Sequence, residues 1–128
     1  MFDLAKQFAA ADEIVIGTPY WDLSFPAVLK IYIEHVTVNG IVFHYTEEGR
    51  PEGLCKAKRL VYITTSGGPC SFANYGFEYF QGIAHMFGIP ETHFISAELL
   101  DVIGQDVDAI MNGALARVRD LKETLPAL

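Results

Sequence analysis

The sequence has few cysteines, few basic residues and no long hydrophobic run. Cys55 and Cys70 are too far apart for a redox Cys-x-x-Cys pair and too few for a disulfide framework. Nine Lys and Arg stand against 16 Asp and Glu, which argues against a nucleic-acid or anionic-membrane surface. No apolar run approaches the ~18 residues of a membrane span, and the start lacks a signal-peptide pattern. These absences predict a cytoplasmic protein without a nucleic-acid or membrane partner.

The rest of the composition is that of an ordinary globular domain. The 128 residues are 51% hydrophobic and 20% charged, and they contain no repeat or linker-like stretch, so a single domain spanning residues 1–128 is expected. Metal-ligand spacings such as His-x-x-x-His are absent, so no metal site is predicted. The histidines concerned are His35, His44, His85 and His93.

Helical and strand-like patterns alternate along the chain. Apolar spacing predicts helices over residues 2–10, 26–36 and 77–87 and another after Gly104. Short β-branched runs predict strands at 14–16, 60–64 and 93–97, the first of them buried on both faces, and residues 41–51 suggest a small hairpin. Such alternation implies parallel strands joined by right-handed crossovers in a layered α/β sheet.

Two loops follow the carboxyl ends of the first two predicted strands. In open α/β sheets ligands bind outside those ends. The loops are residues 18–25 and 65–72, and the second contains Gly67 and Gly68, which permit a backbone path closed to other residues. These loops are therefore the candidate ligand site.

Four stretches resemble the azoreductase and NAD(P)H:quinone reductase family of flavodoxin-like proteins. They are residues 11–23, 43–49, 51–54 and 64–68, and they occur in the family's order at about its spacing. The resemblance implies a three-layer flavodoxin-like parallel sheet. It also implies FMN as cofactor, NAD(P)H as electron donor, and a dimer that acts on a small molecule.

The resemblance further implies which residues contact the flavin and the substrate. The family's flavin-wrapping loop, Pro-Met-Tyr-Asn-Phe, is replaced here by Pro19, Tyr20, Trp21, Asp22 and Leu23. The family's second loop, Thr-Ser-Arg-Gly-Gly, is matched by residues 64–68, without the arginine. The expected cofactor contacts in that loop are Thr65, Ser66, Gly67 and Gly68, and the expected substrate contacts are Phe43 and Met86. No side chain is expected to act as a catalytic nucleophile, because the flavin carries the chemistry.

The same resemblance makes residues 13–17 the third strand of a sheet with order 2-1-3-4-5, so the first βαβ unit is missing. The loop that normally holds the FMN phosphate belongs to that unit. The strand would then have a free edge. Self-association through it, a partner chain that supplies the missing unit, and truncation of a longer protein all explain this, and truncation is the favoured hypothesis.

Two functions follow as alternatives. The first is a flavin-dependent oxidoreductase that passes electrons from NAD(P)H through FMN to a quinone or azo compound. The second is a flavin-free subunit or fragment with a structural or interaction role, because the phosphate contacts are missing.

Overall fold

A computed structural model describes residues 1–124 of the chain. Helices and strands alternate as the sequence predicts, with one short hairpin inserted. The elements are α1 (Asp3–Ala10), β1 (Ile14–Pro19), α2 (Ala27–Val36), β2 (Phe43–Tyr45), β3 (Pro51–Gly53), β4 (Arg59–Thr65), α3 (Tyr75–Phe87), β5 (Glu91–Ala97) and α4 (Val107–Glu123).

The main sheet has three parallel strands in the order β1-β4-β5. Its register pairs Pro19 with Thr65 and Thr65 with Ala97, so the carboxyl ends of all three strands lie side by side. Strands β2 and β3 form a separate antiparallel hairpin. β1 is an edge strand, as expected of a sheet without a first βαβ unit. The predicted parallel α/β sheet and the predicted hairpin are confirmed.

Helices cover the two faces of the sheet unequally. The larger core lies between the sheet and the first three helices, while α4 alone covers part of the opposite face. The side chain of Val15 on that second face is 58% exposed. The prediction that β1 is buried on both faces is therefore wrong, because α4 packs over Val61 and Ile95 and leaves the β1 side open.

Capping residues place the ends of α3 and α4. Asn74 Oδ1 accepts a hydrogen bond from Phe77 N at 3.0 Å, so α3 begins two residues earlier than its apolar spacing indicates. Gly88, with φ of 80°, ends this helix in the left-handed conformation. Asp106 caps α4 in the same way as Asn74 caps α3, through Ala109 N at 3.1 Å.

An ion pair between a buried arginine and a partly buried glutamate links the residue before β1 to β4, and the arginine also reaches α4. Arg59 Nε donates to Glu13 Oε1 at 2.9 Å, and Arg59 Nη2 donates to the Leu121 carbonyl at 3.3 Å. The arginine side chain is only 7% exposed, so its charge depends on these acceptors. The pair fixes the amino end of the edge strand.

Candidate functional site

Two loops meet at the carboxyl ends of β1 and β4. Tyr20 N donates to the Thr65 carbonyl at 3.0 Å, which continues the pairing of the two strands into their loops. A depression of about 310 Å³ lies beside this junction, lined by residues 17–19 and 63–65. The two candidate loops predicted from the sequence are therefore neighbours in the structure.

The first loop contains a strained two-residue turn. Trp21 N donates to the Ser24 carbonyl and Ser24 N to the Trp21 carbonyl, at 3.1 and 2.9 Å. Between them Asp22 and Leu23 have φ of 52° and 71°, the signs of a type I′ turn. Asp tolerates this conformation, but a bulky residue such as Leu adopts it at a cost of order 1–3 kcal/mol. Backbone strain of this kind clusters at binding loops.

The surrounding structure holds this turn in place. Tyr20 Oη donates to the Ala73 carbonyl at 2.9 Å, and Tyr75 N donates to the Leu23 carbonyl at 2.9 Å. The ring of Phe25 packs against Phe80 with 5.4 Å between centroids. The turn is thus tied both to the start of α3 and to the core.

Trp21 lies at the outer end of the first loop. The residue is 59% exposed, so much of the indole is accessible from solvent. Two further aromatic residues are exposed in this part of the chain. They are Phe72 on the second loop and Tyr75 at the start of α3.

The second loop turns its carbonyl groups toward the segment that follows β5. The carbonyls of Ser66 and Gly67 accept from Leu100 N and Asp101 N at 3.1 and 2.9 Å. In a trans peptide the C=O and the next N–H point in opposite directions. The N–H groups of Gly67 and Gly68 therefore point away from Leu100 and Asp101, and within residues 1–124 neither donates a hydrogen bond.

The two glycines of this loop have different surroundings. A Cβ on Gly67 would collide with Asp101 Oδ2, whereas a Cβ on Gly68 would meet nothing within 4 Å. A larger residue at position 67 would therefore have to displace the exposed Asp101 side chain. The space beside Gly68 is open to a ligand.

The other residues predicted as cofactor contacts in this loop make hydrogen bonds within the chain. The side chain of Ser66 is buried, and its hydroxyl donates to the Gly68 carbonyl at 2.6 Å. Thr65 is exposed, and its carbonyl accepts from Tyr20. These contacts shape the loop, whereas the backbone amides of Gly67 and Gly68 take no part in them.

Neutral polar groups lie beneath the second loop. Cys70 is fully buried, and desolvation raises the pKa of its thiol. Burial raises the pKa of Tyr62 to about 12. Both groups are protonated at neutral pH, so Cys70 is not a reactive thiolate. Among the described residues no cluster of His, Cys, Asp and Glu is suited to hold a metal ion.

Phe43 and Met86 lie away from the two loops. Phe43 is 5% exposed and its ring stacks on Phe87 at 6.4 Å between centroids. Met86 lies in the last turn of α3, just before the amino end of β5, and it packs on the same core. A single chain does not bring either residue to the carboxyl ends of the strands. Their role as substrate contacts stays a prediction that needs a second chain.

Sequence reasoning missed the contribution of the segment after β5. The residues at 98–101 anchor the second loop, although only the loops after the first two strands were selected as candidates. The signal was present, because Glu98 and Asp101 directly follow the third strand of a parallel sheet.

The chain has an open parallel sheet flanked by helices, with a glycine loop and a strained turn at adjacent carboxyl ends. Open α/β sheets as a class bind ligands at that edge. The sequence model of a family described as having a flavodoxin-like fold matches residues 3–121. The chain belongs to this family, and the predicted fold class is confirmed. Within residues 1–124 none of the helices has the length and apolarity of a membrane span.

Curated proteins named FMN-dependent NADH:quinone oxidoreductases are similar to most of the chain. An FMN-dependent NADH:quinone oxidoreductase 2 from Clostridium acetobutylicum is 43% identical over 121 residues, which are 91% of this chain and 60% of that protein. An FMN-dependent NADH:quinone oxidoreductase from Clostridium beijerinckii is 43% identical over 118 residues, 91% of this chain and 59% of its own length. The chain thus spans about 60% of these relatives.

Solved structures give the same family. An azoreductase from Bacillus anthracis superposes with a TM-score of 0.81 at 27% identity, covering 95% of this chain and 61% of that one. An FMN-dependent NADH-azoreductase from Bacillus anthracis, in complex with FMN, superposes with a TM-score of 0.80 at 25% identity, covering 93% and 58%. The family resemblance predicted from the sequence is confirmed.

Proposed function

We propose that this chain binds the ring system of FMN between its two loops and forms part of a reductase that passes electrons from NADH or NADPH to a quinone or azo compound. The observation that carries the proposal is the pair of unused N–H groups at Gly67 and Gly68, in a loop that is hydrogen-bonded through Thr65 to Tyr20 of the loop with the strained turn. The names of the relatives support FMN, NADH and both classes of acceptor.

The residues of the site fit the flavin ring. The ring offers nitrogen and oxygen acceptors along one edge, and the amides of Gly67 and Gly68 are free donors. The open space beside Gly68 allows a ring to approach the backbone. When bound, the flavin supplies the hydride and electron transfer, while the protein holds it and tunes its electronics.

The first loop contributes a cover and a charge. The exposed Trp21 is suited to lie over one face of the ring. The carboxylate of Asp22 accepts from a ring N–H, where the family has an amide. A carboxylate also opposes negative charge, so this residue disfavours reduction of the cofactor.

The phosphate of FMN has no partner of opposite charge in these loops. Residues 18–25 and 65–72 contain no Lys or Arg. Our proposal therefore assigns the ring to this chain and the phosphate to a segment that joins it at β1.

The free edge of β1 is the place where such a segment would join. An apolar depression of about 310 Å³ lies next to that edge, with Val15, Val61, Ile63 and Leu121 among its lining residues. An unpaired edge strand beside an apolar surface favours association. We propose that another strand pairs with this edge. That strand comes either from a second copy of the chain or from the missing βαβ unit of a longer protein. A homodimer would also supply the second chain that Phe43 and Met86 need.

Addition of FMN to the purified chain, followed by desalting and a visible spectrum, tests this function. Retained yellow flavin with a shifted spectrum supports the proposal. A colourless protein after desalting would contradict it and support the flavin-free interaction subunit, which the free edge and the exposed Val15 also favour. The predicted cytoplasmic location is part of the same proposal.

A further inference from the structure

The carboxylate of Glu98 holds the far end of the glycine loop. Its Oε1 accepts from Cys70 N at 2.6 Å and from Ser71 N at 3.1 Å. Its Oε2 accepts from Ser71 Oγ at 2.6 Å and from Ser96 Oγ at 2.7 Å. Both oxygens are therefore engaged, and three of the four donors belong to Cys70 and Ser71, which are separated from Gly68 by Pro69 alone.

Glu98 stays ionised in this position. Partial burial opposes its charge, but the hydrogen bonds from Cys70, Ser71 and Ser96 outweigh that effect and lower its pKa to about 2. An ionised carboxylate is a pure acceptor, which matches a site made only of N–H and O–H donors.

The near end of the loop is held by backbone bonds. Ser66 N donates to the Ala97 carbonyl at 2.9 Å, and the carbonyls of residues 66–68 accept from the amides of residues 99–101 at 2.9–3.2 Å. Leu99 has φ of 67°, so this segment adopts a demanding conformation to present those amides. The glycine loop is thus attached at both ends to the segment that begins at Glu98.

These attachments determine where the free amides point. Because the Ser66 and Gly67 carbonyls face the 99–101 segment, the N–H groups of Gly67 and Gly68 face the opposite way. Without the bonds to Cys70 and Ser71, the loop would be attached to this segment only through the bonds from residues 99–101. Those remaining bonds would then hold the direction of the Gly67 and Gly68 N–H groups less rigidly.

We infer that Glu98 is a positioning residue for the flavin site: its carboxylate fixes Cys70 and Ser71 and thereby aims the Gly67 and Gly68 amides at the ring. This inference rests on the proposed function. It concerns a residue outside both flavin loops, and it needs no contact between Glu98 and the cofactor.

We call the hydrogen bonds from Cys70 and Ser71 to Glu98 the clamp. Two substitutions separate the effect of the clamp from the effect of the carboxylate charge. Glu98→Gln keeps the shape and one carbonyl acceptor for the Cys70 and Ser71 amides, and its NH2 group finds acceptors in the serine hydroxyl oxygens. Glu98→Ala removes every acceptor. Glu91→Ala is the matched control, because Glu91 is an exposed carboxylate at the other end of the same strand.

The dissociation constant of FMN, measured by quenching of flavin fluorescence on the full chain, is the first readout. Amide hydrogen exchange and chemical shifts of Gly67 and Gly68 are the second, and both are measured at a temperature where all variants are folded. We expect Glu98→Ala to weaken FMN at least tenfold and to speed exchange at both glycines. We expect Glu98→Gln and Glu91→Ala to stay within about threefold of the unsubstituted chain.

The result that overturns the inference is an FMN affinity for Glu98→Ala within twofold of the unsubstituted chain, whatever the loss of stability. If the unsubstituted chain itself fails to bind FMN, the proposed function fails separately, and the amide readout still decides the inference. In that case, altered Gly67 and Gly68 amides in Glu98→Ala alone support the clamp. Unaltered amides in that variant refute it.

Discussion

Alanine at Gly68 is the substitution that best separates folding from ligand binding in this chain. A Cβ at this position meets no atom within 4 Å, and the residue does not have a positive φ. Gly→Ala at such a position stabilises a protein by ~0.4–1 kcal/mol, because it restricts the unfolded chain. We therefore expect the free energy of unfolding of Gly68→Ala to be unchanged or raised by that amount.

The same methyl group would fill the space that the proposal assigns to the flavin ring. Displacing the ring weakens the hydrogen bonds from the Gly67 and Gly68 amides, each with a net contribution of about 1 kcal/mol. Because about 1.4 kcal/mol corresponds to a tenfold change in affinity, loss of one or both bonds weakens FMN by about fivefold to thirtyfold.

Chemical denaturation of the variant measures its free energy of unfolding, and quenching of FMN fluorescence measures its FMN dissociation constant. Gly82→Ala in α3 is the control, because its Cβ also meets open space and the site is elsewhere. We expect it to stabilise the fold by about 0.5–1 kcal/mol and to leave FMN affinity unchanged. An FMN affinity for Gly68→Ala equal to that of the control would refute the reasoning.

Three further predictions follow from individual contacts. Asp22→Asn removes a negative charge from the proposed ring edge, so the midpoint potential of bound flavin should rise in a dye-equilibration titration; an unchanged or lower potential would argue against this contact. The depressed pKa of Glu98, about 2, means that its stabilising contribution is complete above the unfolded pKa of about 4.3 and is lost as pH falls toward 2. The stability difference between the unsubstituted chain and Glu98→Gln, measured by denaturation from pH 6 to 2, should therefore shrink as the pH falls, and a constant difference would contradict the clamp. Glu13→Gln leaves the buried Arg59 charge without its counter-ion and should lower the free energy of unfolding by roughly 3–5 kcal/mol, whereas Glu48→Gln on an exposed turn should change it by less than about 0.5 kcal/mol.

Most of the fold could be predicted from hydrophobic periodicity and turn residues. The runs at β1, β4 and β5 are short and rich in β-branched residues, and the helices between them have one apolar face. The start of α3 was missed because Tyr75 and Gly76 break the apolar spacing, while the cap at Asn74 sets the boundary. Periodicity describes which faces are apolar, whereas a cap acts through a single hydrogen bond.

The open face of β1 could not be predicted from the same pattern. A β-branched run such as residues 14–16 is typical of a strand with helices on both sides. Whether a second helix covers Val15 depends on the rest of the chain, and here α4 alone covers that face of the sheet. The pattern records the apolarity of the residue and not the presence of its neighbour.

The candidate site was predictable only in part. The rule that ligands bind at the carboxyl ends of parallel strands selected the loops at 18–25 and 65–72, and the structure brings them into contact. The strain at Leu23 and the free amides at Gly67 and Gly68 depend on backbone torsions and long-range hydrogen bonds, which the sequence does not reveal.

The most direct test of the central claim is a comparison of FMN with riboflavin, titrated against the purified full chain by fluorescence quenching. The two ligands share the ring system and differ in the phosphate, for which the two loops carry no Lys or Arg. We predict saturable binding of both, with dissociation constants within about threefold of each other, since the ring supplies the contacts. Absence of saturable binding for both ligands would contradict the assignment of the flavin ring to these two loops.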